Sequence, residues 1–376
     1  MNQLPIDEKL NIGYLSRILD PDRTNNCYKF FWFQAILNKL DEEHTRFTYD
    51  ELINEMIVDA WYMVAEYHLR LGPVTDNLEE VVKYIIAKKG FAASEKREVI
   101  LAYLENSDDA QLRKYKKILT DNVPYRLQSP FYDGINTNDY NLRPSDFIEK
   151  VNRQKRLLYY FDSFQKLSTT IVVNDNWVPY LLRNREILLG WLQLKLINYL
   201  QKKNPSVPGI ADKLNIPQAR DIERVRRYWK LIIEIKPEIK DIYGNVDLAN
   251  ENISVDHFVP WQYVAHDELW NLHPTTKSIN SSKSNGLPDW DMYFAPLYKL
   301  EFLSYKLAKE NDNVAGEFDK ISKYHLNNEE IKRELYCDGL TETEFGERLN
   351  NVVRPVYNAA RNNGFKVWKY EKVTCQ

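Results

Sequence analysis

The sequence predicts a mainly α protein with a small α+β module. Apolar residues recur at helical spacing through most of the 376 residues, and only 12 glycines are present, which disfavours a sheet-rich fold with many tight turns. Residues 253–259 alternate in character and are rich in β-branched side chains, which predicts a strand. Hydrophobic residues make up 44% and charged residues 28% of the chain, which is typical of a globular protein with a sizeable core.

Charge and cysteine content exclude several classes of protein. The formal net charge is −3, so binding to nucleic acid would require basic residues concentrated on one surface. Cys27, Cys337 and Cys375 form no CxxC pair, which indicates neither a disulfide framework nor a cysteine zinc site. The polar start of the chain resembles no secretory signal, and the apolar run 187–200 is too short and too polar to span a bilayer. We therefore expect a cytoplasmic protein without a membrane partner.

The first predicted region, residues 1–122, is helical. Apolar spacing predicts helices over residues 28–40, 50–71, 77–89 and 94–104. Gly72-Pro73 and Gly90 are the expected stops, and Ser94 is the expected N-cap of the last helix.

The second predicted region, residues 123–235, begins with loop chemistry over 122–144, where proline, glycine, asparagine and aspartate cluster. Helix is expected from 145 to beyond 160 and from 177 to 201, with a β-branched strand at 169–173 between them. A basic helix is expected over 217–235. Its arginines Arg220, Arg224 and Arg227 lie opposite an apolar face, which favours either a solvated helix surface or a grip on nucleic-acid phosphates.

The third predicted region, residues 236–290, reads as strand, loop, strand and helix, with Thr275 or Thr276 as the helix cap and Gly286 closing it. The fourth, residues 291–376, is helical again, with helices expected over 291–309, 328–336 and 342–361. Pro355 is expected to break or kink the last of these helices.

Several polar residues of the third region are spaced so that they can form one site. Asn280 and Lys283 share a helix face, and a helix packed across the strands would bring Asn280 to the ion held by Asp256. A carboxylate and an amide oxygen favour one Mg²⁺ or Mn²⁺ ion. His257 has the chemistry of a general base near neutral pH.

The remaining polar residues of this stretch are interpreted as follows. Lys283 is expected to hold a phosphate as a point charge. Asn271 is expected to bond the backbone across the loop and to fix the orientation of His257. His266 and His273 are interpreted as structural or DNA-facing residues.

This stretch resembles the HNH endonucleases, the ββα-metal family, and most closely the HNH domain of the type II CRISPR effectors. The shared pattern is Asp256-His257-Phe-Val-Pro260, then Asn271, Asn280, Lys283 and Pro288 at the family's spacing. The resemblance implies that Asp256 and Asn280 hold the metal, that His257 is the base and that Asn271 braces the site.

Two further features bear on the resemblance. Many HNH proteins carry a structural zinc on two CxxC pairs, but residues 241–245 occupy the first such position without cysteine, so no structural zinc is expected. In addition, residues 26–37 and 123–131 resemble regions that precede HNH domains in bacterial proteins of unknown or antiphage role.

The resulting hypothesis is a metal-dependent DNA endonuclease, an effector in bacterial defence or restriction, whose helical N-terminal region binds a protein partner or regulates the site. Two alternatives stay open: an RNA-directed nuclease of the same fold, and a non-catalytic binding subunit that keeps the module as a scaffold.

Overall fold

The computed structural model describes residues 4–21, 24–215, 222–249 and 251–371. It is mainly helical, with 59% helix and 7% strand, which confirms the predicted class at that level. The chain divides into two compact units: Met1–Pro205 with Lys213–Ile216, and Ser206–Asp212 with Pro217–Gln376. Within the described ranges, no helix has the length and apolar character needed to cross a membrane.

The first unit combines helices with one small antiparallel sheet. Its helices are α1 (Ile12–Ser16), α2 (Tyr28–Lys39), α3 (Tyr49–Ala65), α4 (Asn77–Lys89), α5 (Arg97–Asn106), α6 (Ala110–Thr120), α7 (Val123–Arg126), α8 (Pro144–Asn152), α9 (Val178–Arg183) and α10 (Arg185–Lys203). Its strands are β1 (Arg46–Thr48), β2 (Tyr159–Phe161) and β3 (Thr170–Val173), in the order β1-β3-β2. Short 3₁₀ turns lie at Ser129–Phe131, Thr137–Asn141 and Lys166–Ser168.

The aromatic helix α2 forms the centre of this unit. The predicted helix over 28–40 is confirmed, and Phe31, Trp32 and Phe33 are completely buried. Helix α3 packs against it and begins with a capping box, in which Thr48 and Glu51 satisfy each other's backbone amides. Apolar residues around the whole of α2 are therefore explained by burial on most sides.

Four local predictions for the first unit are wrong. Helix α3 ends at Ala65, six residues before the expected end at 71, so Gly72-Pro73 is not its stop. The helix expected beyond residue 160 ends at Asn152, because Tyr159–Phe161 pairs with β3 and the Asn152 amide bonds both backbone groups of Phe161. The helix expected over 177–201 is interrupted at Asn184. Helix α5 begins after Lys96, so Ser94 is not its cap. At residues 159–161 the helical propensity is overridden by strand pairing, which local spacing does not encode.

The second unit surrounds a two-stranded hairpin with helices. Its helices are α11 (Glu223–Ile235), α12 (Trp261–Val264), α13 (Lys277–Lys283), α14 (Trp290–Glu310), α15 (Asp312–His325), α16 (Glu329–Leu335) and α17 (Glu342–Asn362). Its strands are β4 (Ile253–His257), β5 (Leu272–Thr276), β6 (Leu287–Pro288) and β7 (Val367–Trp368), and a 3₁₀ turn lies at Leu269–Asn271.

The hairpin is antiparallel and is covered by two helices. Strand β4 pairs with β5 so that Asp256 lies opposite His273. Helix α13 packs on both strands after its cap at Thr276, whose side chain accepts from the Ile279 amide. Helix α11 packs on them too, and the Trp229 indole donates to the Leu272 carbonyl at 3.1 Å. The strand, loop, strand and helix thus pack together in a hydrophobic core.

The C-terminal segment completes the second unit. Strand β6 pairs in parallel with β7, and this pairing requires Gly286, because a Cβ there would lie 2.6 Å from the Cβ of Trp368. Helix α17 continues through Pro355, so the expected break does not occur. Buried Phe345, Leu349 and Val353 line one face of α17, which packs against α14, and this burial offsets the missing amide of the proline.

Candidate active site

Four of the residues singled out by spacing line one pocket in the second unit. Asp256 and His257 end strand β4, and Asn280 and Lys283 lie three residues apart on α13. Together they line a pocket of about 460 Å³ whose wall is mostly polar. The packing of α13 on the hairpin therefore brings Asp256 and Lys283 into contact, although they are 27 positions apart in sequence.

The carboxylate of Asp256 is held from two sides. The Tyr243 hydroxyl donates to it at 2.9 Å, and the Lys283 ammonium lies 3.1 Å from both of its oxygens. Tyr243 is itself fixed by a turn, in which its amide donates to Asp241 at 2.9 Å. Residues 241–245, where many HNH proteins have the first CxxC pair of a structural zinc site, thus form a turn that is hydrogen-bonded to the Asp241 side chain. This turn places the Tyr243 hydroxyl against Asp256.

Lys283 is buried in a way that the sequence did not predict. Its side chain is 0% exposed, and its ammonium donates to the His257 carbonyl at 2.7 Å as well as to Asp256. Burial lowers the pKa of Lys283, and the Asp256 carboxylate opposes that shift. In this geometry Lys283 neutralises Asp256 and ties α13 to the end of β4, and the role of holding a phosphate stays a prediction.

His257 is held by a carboxylate from the loop that follows it. Its Nε2 lies 2.7 Å from Asp267 Oδ1, and the two side chains are only 6% and 16% exposed. The imidazole is therefore held on the pocket wall by a hydrogen bond that is largely shielded from solvent.

Asn271 lies beneath the pocket and does not line it. It is completely buried, and its amide both accepts from the Val259 amide at 2.7 Å and donates to the Val259 carbonyl at 2.9 Å. The Phe258 amide also donates to the Asn271 carbonyl at 2.9 Å. These bonds connect Asn271, the residue before β5, to Phe258 and Val259, which directly follow strand β4.

Replacing Asn271 by alanine is expected to lower the free energy of unfolding by about 2–4 kcal/mol, because both polar backbone groups of buried Val259 would lose their partner. Urea titration of the purified protein measures the loss. Asn285→Ala, a substitution at a half-buried asparagine on the pocket wall, is the matched control. Equal stability of the two variants would contradict the bracing role.

Asn280 presents an amide to the same pocket. Its nitrogen donates to Ser254 Oγ at 2.8 Å and to the Val255 carbonyl at 3.3 Å. Its oxygen accepts no hydrogen bond within the described part of the chain. A carboxylate has on the order of four acceptor sites, and Tyr243 and Lys283 make three contacts with Asp256. One carboxylate and one amide oxygen therefore remain available as hard ligands on one pocket wall.

His273 is buried behind Asp256 and is neutral. Neither ring nitrogen has a hydrogen-bond partner among the described residues, and Nε2 lies 3.7 Å from Asp256. Burial lowers the pKa of His273 to about 3, against the opposing pull of Asp256. Its ring packs edge-on against Tyr243, at 5.3 Å between centroids. Among the residues described, no group of three or more His, Cys, Asp or Glu side chains is arranged to hold a metal ion.

Of the three predicted phosphate-binding arginines, the two within the described residues, Arg224 and Arg227, do not line the pocket. Arg220 lies outside the described residues. The Arg224 guanidinium packs over the Tyr324 ring at 4.3 Å, and Arg227 is exposed. Among residues 222–235, which the structure describes, Ile222 alone lines the pocket.

Sequence reasoning missed two residues that touch the predicted ones. Tyr243 and Asp267 contact Asp256 and His257 respectively, yet neither falls at a motif position. The absence of cysteine at 241–245 was a signal that something else must hold this turn. The spacing of ten residues between His257 and Asp267 carries no signal, since the intervening loop sets their distance.

Comparison with known proteins identifies a family match within the second unit. Residues 241–289 match the model of the HNH endonuclease family. This segment therefore carries an HNH domain, which supports a nuclease activity in general and implies a nucleic-acid substrate. Searches of curated proteins and of solved structures gave no match.

Proposed function

We propose that this protein is a divalent-metal-dependent endonuclease that hydrolyses DNA phosphodiester bonds with His257 as the general base. The observation that carries the proposal is that Asp256, His257 and Asn280 line one pocket within the HNH domain. One pocket that unites a general base with hard oxygen ligands suits hydrolysis of a phosphodiester.

Asp256 and Asn280 are the proposed ligands of one Mg²⁺ or Mn²⁺ ion. HNH nucleases in general use a divalent metal. The free amide oxygen of Asn280 and the remaining acceptor capacity of Asp256 fit a hard ion, which prefers oxygen ligands. When bound, such an ion offsets the negative charge that grows on the phosphate and on the leaving oxygen.

His257 is proposed to take the proton from the attacking water. The water oxygen then forms a bond to phosphorus, and the bond from phosphorus to the 3′ oxygen of the preceding nucleotide breaks. By the chemistry of the family, the products carry a 5′-phosphate and a 3′-hydroxyl. Asp256 and Lys283 form a buried pair beside this step, and the ammonium also holds the His257 carbonyl, so it fixes the strand end that bears the base.

The biological setting is proposed on resemblance alone. Residues 26–37 and 123–131 support a role in bacterial defence or restriction, in the cytoplasm, with the N-terminal region contacting a protein partner. Within the second unit, Arg227 remains a candidate contact for DNA phosphates because it is exposed.

Supercoiled plasmid DNA and a long single-stranded RNA, each incubated with the protein and Mg²⁺ or Mn²⁺, test the proposal. Conversion of the plasmid to nicked circles is expected, because one site with one ion cuts one strand at a time. EDTA is expected to stop the reaction, and excess metal to restore it. Cleavage of RNA alone would favour an RNA-directed nuclease, and inactivity on both substrates would favour a binding subunit.

A further inference from the structure

We propose that Asp267 is the positioning residue of the catalytic base: its carboxylate accepts the Nε2 proton of His257, so that Nδ1 is the nitrogen that receives the proton from water. This inference rests on the proposed nuclease function and assigns the residue that prepares its base. Neither the spacing of the motif nor the match to the HNH family assigns a role to Asp267.

The geometry is that of a strong, directed hydrogen bond. His257 Nε2 and Asp267 Oδ1 are 2.7 Å apart, which is short for a bond between a ring nitrogen and an oxygen. The imidazole is 6% exposed and the carboxylate 16% exposed, so bulk water competes little for either group.

This bond determines which nitrogen can act. A neutral imidazole carries one proton, and a carboxylate can only accept, so the proton of the neutral ring lies on Nε2. Nδ1 then keeps its lone pair. The carboxylate also stabilises the imidazolium that forms when Nδ1 takes a proton, because the positive charge then lies beside Asp267.

The loop that carries Asp267 is itself clamped by the end of α15 and the residues after it. His325 Nδ1 lies 2.9 Å from the Asp267 carbonyl. The Asn327 side chain and amide donate to Glu268 Oε1 at 2.8 and 3.2 Å. Two neighbouring loop residues are thus bonded to one C-terminal segment, which gives this part of the chain a function in fixing the carboxylate that faces His257.

A structural role for the same bond predicts different results. If Asp267 only stabilises the loop, its removal should lower stability and leave the tautomer of His257 unchanged. If it positions the base, its removal should change the tautomer and lower kcat, while KM for DNA stays the same, because Asp267 contacts the base and not the substrate.

Nitrogen NMR of the full-length protein with ¹⁵N-labelled histidine separates these roles. The signal of His257 among the six histidines is assigned by its loss in His257→Ala. The wild type is expected to show a neutral ring protonated at Nε2. Asp267→Asn and Asp267→Ala are expected to mix the two tautomers and to reduce kcat on plasmid DNA on the order of 10- to 100-fold with KM unchanged. Asp247→Asn, at an exposed aspartate of the same unit, is the matched control.

Each outcome decides the proposal. A ring protonated at Nδ1 in the wild type, or an imidazolium at neutral pH, would overturn it. So would an unchanged tautomer and kcat in the Asp267 variants. The isosteric Asp267→Asn keeps the test valid if Asp267→Ala does not fold. Because the tautomer is read without substrate or metal, failure of the nuclease function itself would leave the NMR result standing.

Discussion

Replacing His257 by alanine is expected to reduce the rate of plasmid nicking on the order of 10²- to 10⁴-fold, which is the usual contribution of a positioned general base. The loss should appear in kcat, because the substitution leaves the proposed metal ligands Asp256 and Asn280 and the paired Lys283 in place. Initial rates at saturating DNA and fixed Mn²⁺ concentration measure it.

His266→Ala is the matched control for this experiment. It removes a histidine from the same stretch, but His266 is exposed and does not line the pocket. Its rate is expected to stay within about twofold of wild type, since exposed substitutions away from a site cost little. Nicking by His257→Ala at the wild-type rate would show that another group takes the proton.

Replacing Lys283 by methionine is expected to destabilise the metal-free protein by about 3–5 kcal/mol, because it leaves the buried carboxylate of Asp256 without its cation. Methionine keeps most of the volume of the side chain, so the loss reflects charge rather than a cavity. Urea titration in EDTA measures it. Mn²⁺ should then stabilise Lys283→Met more than the wild type, because the ion supplies positive charge beside Asp256.

Lys277→Met, at an exposed lysine of the same helix, is the control and should change stability by no more than about 0.5 kcal/mol. A double-mutant cycle with Asp256→Asn isolates the pair. If the loss caused by Lys283→Met is the same in the Asp256→Asn background, the two residues are not coupled, and the description of Lys283 as the counter-ion of Asp256 is wrong.

Helices with strong local signals were predicted well. Helix α2 has apolar residues on nearly every side, and its observed bounds, Tyr28–Lys39, agree with the prediction to within one residue. Strand β3, Thr170–Val173, follows from its β-branched run. Helix α4 lies at the predicted residues, between a side-chain cap at Asp76 and left-handed Gly90.

Elements that depend on distant partners were missed or misassigned. Strand β1, Arg46–Thr48, has no local signal and exists because it pairs with β3. Helix α15, Asp312–His325, was not predicted, and its Asn311 cap follows directly on α14. Residues 159–161 fit a helix by their apolar spacing, but they form strand β2, which pairs with β3. Pairing free energy between distant segments is not visible in a local window.

The surface charge of the predicted basic helix, residues 217–235, also could not be predicted from a local sequence window. The exposed charged residues of α11 are two basic ones, Arg227 and Lys230, and two acidic ones, Glu223 and Glu234, so their formal charges cancel. The balance of charge on a helix surface depends on which residues are exposed, and spacing alone does not give that.

The sequence by itself determined which residues can form the candidate site. The spacing of Asp256, His257, Asn271, Asn280 and Lys283 placed these residues on a strand, at a strand entry and on one helix face, and chemistry at those positions is a local property. Only the tertiary structure decided what surrounds them. Tyr243, Asp267 and His325 reach the site through turns and helices whose packing no spacing encodes. The same packing buried Lys283 against Asp256. A carboxylate in the protein interior is shielded from water, so its only partners are the groups that the fold places beside it.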